Sequence, residues 1–411
     1  MYKMNTHHVF SWRLSATLTL LLASALALPA WAGSASMHMA GMSGKAPLGA
    51  GATFGPNGRL WLATVHDGHV QLSHSDDFGK TFSTPVNVNQ MAQTIYDTGE
   101  NHPKVALGPH GAIYVTWSHP LPHHLYSGNV RFARSLDGGR HFSTPVTINH
   151  DRAPITHRFD ALAVAGNGDI VIAWVDGRNA VAAQKAGKTF LGKSMYYTWS
   201  SDGGKTFAPD HLLMRHSCEC CRIALTRAPD GRVAAFFRGV YGDNIRDHAF
   251  AWLPTDGQPA HPLRATFSHW QVAACPHQGP GLAIGANGTA YGVWYEASHG
   301  PAVWFGQLDP GHPPKHLLKL GGPGASHADV AVHGHRVWVT WNQVDAEGYR
   351  LMLRTSDDGG QHFGPERVIA RSTASVYSPQ LLMHDGRAYV AWNTADGFRL
   401  IAATGSPEAS R

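Results

Sequence analysis

Apolar residues along this chain come in short runs of strand length, rich in β-branched and aromatic side chains and closed by glycine turns. The main body carries no helical period. One six-residue pattern recurs seven times, at 59–64 (RLWLAT), 112–117 (AIYVTW), 169–174 (DIVIAW), 232–237 (RVAAFF), 289–294 (TAYGVW), 336–341 (RVWVTW) and 387–392 (RAYVAW). Successive copies start 47 to 63 residues apart, which is the length of a four-stranded sheet with long connections. Strands buried on both faces require such composition. A second apolar strand ending in a turn precedes each copy, as in 105–111 (VALGPHG). Repetition at this period predicts an all-β propeller of seven four-stranded blades, with six as the alternative count. The last unit offers only three clear strands, at 380–384, 388–392 and 398–403. A strand near Lys45 to Leu48 would complete it and remove the exposed sheet edge.

Four blades carry a further motif, S-x-D-x-G-x-x-F, at 75–82, 135–142, 200–207 and 356–363. The spacing suits a hairpin between third and fourth strands. The carboxylates of Asp77, Asp137, Asp202 and Asp358 can accept from turn amides. Gly79, Gly139, Gly204 and Gly360 suit a positive φ, and the closing Phe is expected to pack into the blade. The motif resembles the Asp box of sialidases and related propellers, and the resemblance covers essentially the whole chain after its first segment. It implies that these aspartates are structural and lie away from the functional face. The box is missing around Asp256 and Asp309, where the blade count is hardest to read, and from the last, three-stranded unit.

The ends divide differently. Residues 14–28 are apolar and uncharged behind Lys3 and Arg13, and 29–32 (PAWA) supply small residues at cleavage positions. This is the pattern of an export signal over 1–32, too short for a stable membrane span. No Cys follows at the cleavage point, so no lipid or membrane anchor is expected once the signal is removed, and the location is read as periplasmic or secreted. The domain map is then a signal at 1–32, a flexible Met/His tail at 33–45, one propeller at 46–405 and a disordered end at 406–411. The tail holds Met37, His38, Met39 and Met42, thioether and imidazole donors suited to soft metals.

Charge narrows the partners. The formal net charge is +5, falls when Lys3 and Arg13 leave with the signal, and forms no basic run, so nucleic acid is not an expected ligand. A small molecule, a metal or a glycan fits better. The 28 histidines are a composition bias whose meaning depends on position.

In a propeller the residues just before each innermost strand meet at one face of the central channel. Those lead-in segments are 100–104 (ENHPK), 157–160 (HRFD), 218–222 (CECCR), 275–278 (CPHQ), 326–329 (SHAD) and 376–378 (VYS). They hold His102, His157, Arg158, Arg222 and His327 as candidate ligand-binding groups, together with every cysteine of the chain. Cys218, Cys220, Cys221 and Cys275 open the fourth and fifth blades, so adjacency brings them together. Four cysteines in an exported chain allow disulfides that staple blades. They equally allow a thiolate metal site completed by His277, with His216 and Glu219 as further donors, and sulfur with imidazole suits Cu(I) or Zn(II). Both alternatives stand at this level.

The sialidase resemblance implies an activity, release of terminal sialic acid. Sialidases grip the substrate carboxylate with three arginines, use a Tyr nucleophile paired with a Glu, and protonate with an Asp. The matching positions are Tyr377 as nucleophile, Asp160 as acid, and Arg158, Arg222, Arg238 and Arg246 as carboxylate binders, with Glu296 as a partner for Tyr377. The family's first arginine segment is missing, its place taken by 48–54 (LGAGATF). A closer resemblance is to exported bacterial sialidase-like proteins bearing the 216–224 segment (HSCECCRIA), with motifs like 244–248 (NIRDH) and 275–277 (CPH). Residues 244–248 follow the second strand of the Cys blade, so Arg246, Asp247 and His248 are expected to face the same channel mouth. The functions in play are a metal-linked protein (copper or zinc), an exo-α-sialidase, and a non-catalytic binding scaffold.

Overall fold

The computed structural model describes residues 48–97, 100–124 and 126–404. The export signal, the Met/His tail and the C-terminal end lie outside the described residues, as does the strand expected near Lys45 to Leu48 apart from Leu48 itself. Seven antiparallel sheets follow one another in chain order, six of four strands and the last of three. The innermost strands are Gly51–Phe54, Lys104–Leu107, His157–Val164, Ala224–Arg227, Gly281–Ile284, Ala325–His333 and Gln380–His384. Among the described residues, helix is confined to Arg178–Lys185 and a 3-10 turn at Pro109–Gly111. The fold is a seven-bladed, all-β propeller.

The recurring six-residue pattern is the second strand of each blade, the most deeply buried. In the third blade Ile170–Asp176 is buried at every position. Trp117, Trp174, Trp341 and Trp392 close four of the repeats and are fully buried. Each withdraws about 150–250 Å² from water, a gross gain on the order of 4–6 kcal/mol at roughly 25 cal/mol/Å².

The four S-x-D-x-G-x-x-F turns share one hydrogen-bond pattern. Ser75 Oγ donates to Asp77 Oδ1 (2.7 Å) and accepts from Gly79 N (2.8 Å), while Asp77 Oδ1 accepts from Thr81 N (2.9 Å). The Thr81 hydroxyl and amide, with Ser75, hold the Asp77 carboxyl down at about 2. Gly79, Gly139, Gly204 and Gly360 all have φ near +80°. The closing Phe joins the core of its blade as expected, Phe142, Phe207 and Phe363 lying in clusters with their own second strands, and it also reaches across the seam. Phe82 meets Phe398, Phe207 meets Phe132, and Phe363 meets Phe305 (ring centroids 5.7, 5.1 and 4.8 Å), each on the preceding blade. A Cβ on Gly204 would lie 2.6 Å from Phe132 and one on Gly360 2.8 Å from Phe305. The turn therefore joins neighbouring blades, and only a glycine lets the backbone approach the neighbour's ring.

Side chains close the ring between last and first blades. Gln380 donates to Ala50 O (2.6 Å) and accepts from Ala52 N (3.2 Å), and Asn393 donates to Leu48 O (2.8 Å). Phe54 packs on His384 and Tyr389 at centroid distances of 5.2 and 5.4 Å. Strand direction fixes the two faces. First and third strands run the same way, so the Asp turns lie at the end opposite the lead-in segments.

Candidate functional site

The lead-in segments converge as ring geometry requires. Glu100 of the second blade is buried at their centre. Its Oε2 accepts from Gly279 N (2.7 Å) and Arg222 N (3.1 Å), and Arg222 Nη1 lies 3.2 Å from Oε1. Arg222 also donates to Pro280 O (3.2 Å) and Ala328 O (2.8 Å). His327 Nε2 lies 3.4 Å from Glu100 Oε1 and 3.2 Å from His277 O. One carboxylate thus ties blades two, four, five and six together.

Beside it, His102 Nδ1 and Tyr377 Oη are 2.9 Å apart. Burial, with Glu100 nearby, pushes the Tyr377 phenol well above its ordinary range, and burial holds His102 well below its own. Lys104 Nζ donates to His102 O (2.5 Å), and burial lowers its ammonium to about 8. A channel cavity of about 430 Å³ opens here, lined by His102, Lys104, Arg222, Asp329, Ser378 and Gln380 among others. Burial raises the Asp329 carboxyl.

Three cysteines lie on the loop before the fourth blade and Cys275 on the loop before the fifth. Cys218, Cys220 and Cys221 are buried, whereas Cys275 is exposed; none is bonded to another. Cys218 Sγ lies 3.4 Å from Cys221 Sγ and 3.8 Å from Cys220 Sγ. The three sulfurs fall within 4.8 Å of one another; so do the Cys220 and Cys275 sulfurs and a ring nitrogen of His277. Cys220 belongs to both sets. His277 and His327 adopt left-handed backbone, φ +52° and +51°, a strain of roughly 1–3 kcal/mol each that gathers at functional sites. Three guanidiniums lie within electrostatic reach of the sulfurs: Arg158 of Cys220, Arg238 of Cys218, and Arg246 of Cys218 and Cys275. Hydrogen bonds from Cys220 and Cys221, with Arg238 nearby, favour thiolate at Cys218; burial pushes Cys221 up.

The other expected site residues are placed differently. Arg238 is fully buried and donates to the carbonyls of Arg246, Gln278 and Tyr295. Arg246 donates to Glu219 Oε2 (2.9 Å) and Val272 O (3.1 Å). Arg158 stacks 4.0 Å above the Tyr96 ring. Asp160 is buried and accepts from Thr116 Oγ1 and Ser118 Oγ, both at 2.7 Å. His157 is in the core, 3.0 Å from Gly128 O. Asp247 clamps its own loop by pairing with Arg264 and accepting from Ser268 N, and His248 packs against Phe236 rather than facing the mouth. His216 bonds Leu191 O and stacks on Phe190, outside both donor sets. Glu296 accepts from Ser298; the partner of Tyr377 is His102. Glu100 stands in a lead-in segment yet drew no role from sequence, because its partners come from three other blades.

No protein-family model matches the chain, and no curated protein matches it by sequence. Solved structures do. A polysaccharide lyase, an ulvan lyase bound to -[GlcA(1-4)Rha3S]-, is 13% identical with TM-score 0.57, covering 89% of this chain and 96% of its own. The polysaccharide lyase Uly1 is 11% identical with TM-score 0.57, covering 88% and 91%. The Hadza microbial sialidase Hz136 is 13% identical with TM-score 0.47, covering 82% and 74%. At these identities the likeness to the lyases is one of β-propeller fold.

Proposed function

We propose that this chain is an exported propeller that binds a soft metal, copper or zinc, through the cysteines at its channel mouth. One observation carries the reading: Cys220 Sγ stands in two overlapping donor sets, Cys218/Cys220/Cys221 and Cys220/Cys275/His277. Metal–sulfur bonds of about 2.3 Å place sulfurs roughly 3.5–4 Å apart; the Cys218–Cys220 spacing of 3.8 Å falls in that range and the Cys218–Cys221 spacing of 3.4 Å just below it. Thiols without a disulfide keep the donor atoms free. The likeness of 216–224 to exported bacterial sialidase-like proteins with a Cys-x-Cys-Cys motif supports the same reading, as does the export signal read over 1–32.

The decisive experiment is elemental analysis with a thiol count on the mature protein, purified under reducing conditions and loaded with Cu(I) or Zn(II). Stoichiometric metal that disappears in Cys220→Ser supports the reading. Four titratable thiols and no bound metal after loading overturn it.

A further inference from the structure

The five donors divide into two sets that share a single atom. A single ion with bonds of about 2.3 Å keeps its donors within about 4.6 Å of one another. That condition is approached inside each set, where all atoms lie within 4.8 Å, and the sets are distinct. They also differ in access. Cys218, Cys220 and Cys221 are closed off from water, whereas Cys275 and His277 are exposed. We infer that the mouth holds two soft monovalent cations bridged by the Cys220 sulfur, an inner one on Cys218, Cys220 and Cys221 and an outer, exchangeable one on Cys220, Cys275 and His277. The inference rests on the metal-binding reading above and gives it a stoichiometry and an order.

Charge selects the valence. Four thiolates and a neutral imidazole holding two monovalent ions carry two negative charges. Arg158, Arg238 and Arg246 supply three positive charges within reach of the sulfurs, and Glu219, paired to Arg246, removes one. The balance is neutral, which the closed inner half of the cluster needs. Two divalent ions would leave the same surroundings with two uncompensated positive charges. Loading transfers the thiol protons to solvent, and no electron moves, so copper must be supplied as Cu(I).

The test is an anaerobic Cu(I) titration of the mature chain against a chromophoric Cu(I) chelator. The expected result is two equivalents, one of which the chelator removes first. The Cys275→Ser/His277→Ala double variant should bind one equivalent and melt at the wild-type temperature, because both side chains are exposed. A wild-type stoichiometry of one overturns the two-ion inference while leaving metal binding intact. A stoichiometry of zero overturns both. Two equivalents of Zn(II) bound under the same conditions would overturn the monovalent assignment.

Discussion

Tyr377 and His102 stand 275 positions apart in the chain, yet their Oη and Nδ1 atoms are joined at 2.9 Å inside the ring. Both side chains are buried and shifted toward their neutral forms, so one neutral proton serves the contact. Removing the phenolic oxygen leaves a buried ring nitrogen without its partner, which costs about 1–3 kcal/mol. Tyr377→Phe should lower the urea midpoint accordingly and leave metal content unchanged. Unaltered stability would mean that water replaces the lost hydroxyl.

A larger loss is expected at Glu100. Its carboxylate is the counter-charge of Arg222 and accepts from two backbone amides. Glu100→Gln keeps the shape but leaves a largely buried guanidinium uncompensated, a change that costs about 3 kcal/mol or more. Equilibrium unfolding should show it. A further Arg222→Met substitution in that background should recover part of the loss, since the unpaired charge is then gone.

Histidine burial sets the response to mild acid. Burial lowers the pKa of His102, His157, His248 and His327, while an unfolded histidine titrates near roughly 6.5. Below that pH the unfolded chain takes up protons that the folded chain refuses, so stability falls as pH drops. Each group contributes up to about 1.4 kcal/mol per pH unit. Asp97 and Asp329, raised by burial, act in the opposite sense over part of the range. Four groups against two predict a net loss between pH 7 and pH 5 by urea unfolding. His248→Phe should flatten the slope, because that ring already packs against Phe236 and its Nε2 has no hydrogen-bond partner among the described residues.

The Asp turns allow a paired test. Gly138 and Gly204 both have positive φ, but a Cβ on Gly138 meets nothing within 4 Å while one on Gly204 meets Phe132 at 2.6 Å. Alanine at either position pays roughly 1–2 kcal/mol for left-handed backbone. At Gly204 it also forces apart two blades, adding about 1–3 kcal/mol. Gly204→Ala should therefore melt well below Gly138→Ala; equal melting temperatures would refute the inter-blade role.

These contrasts show what the sequence could carry. Repeats at blade spacing are local in character, so the seven sheets, the Asp turns and the convergence of lead-in segments were all legible. Adjacency of the fourth and fifth blades brought Cys275 and His277 to Cys220 as expected. Contacts across the ring were not legible. Glu100 meets Arg222 and His327, and Tyr377 meets His102, only after closure sets the angle between non-neighbouring blades. The second contact of the Asp-turn phenylalanines was hidden for a related reason: hydrophobic pattern says that a side chain is buried but not that it also meets the preceding sheet. Histidine 248 was misplaced because one residue of register decides whether a strand end faces the channel or the next blade.

The last expectation concerns hydrolysis. A sialidase needs guanidiniums free to grip a carboxylate and an exposed nucleophile. Here Arg222 is engaged by Glu100 and two carbonyls, Arg238 by three carbonyls, Arg246 by Glu219, and Arg158 by the Tyr96 ring. Tyr377 is 7% exposed and bonded to His102, which itself forms the cavity wall. The Asp160 carboxylate is capped by the Thr116 and Ser118 hydroxyls, one on each oxygen, so neither oxygen is turned to a substrate. Freeing Arg222 alone would break the ion pair that joins four blades, so substrate could not displace Glu100 without loosening the ring. A fluorogenic sialoside should consequently be turned over no faster than in buffer, at neutral or mildly acid pH, with or without metal. Robust release of the fluorophore that Tyr377→Phe abolishes would restore the glycosidase reading and demand an open form of the channel mouth.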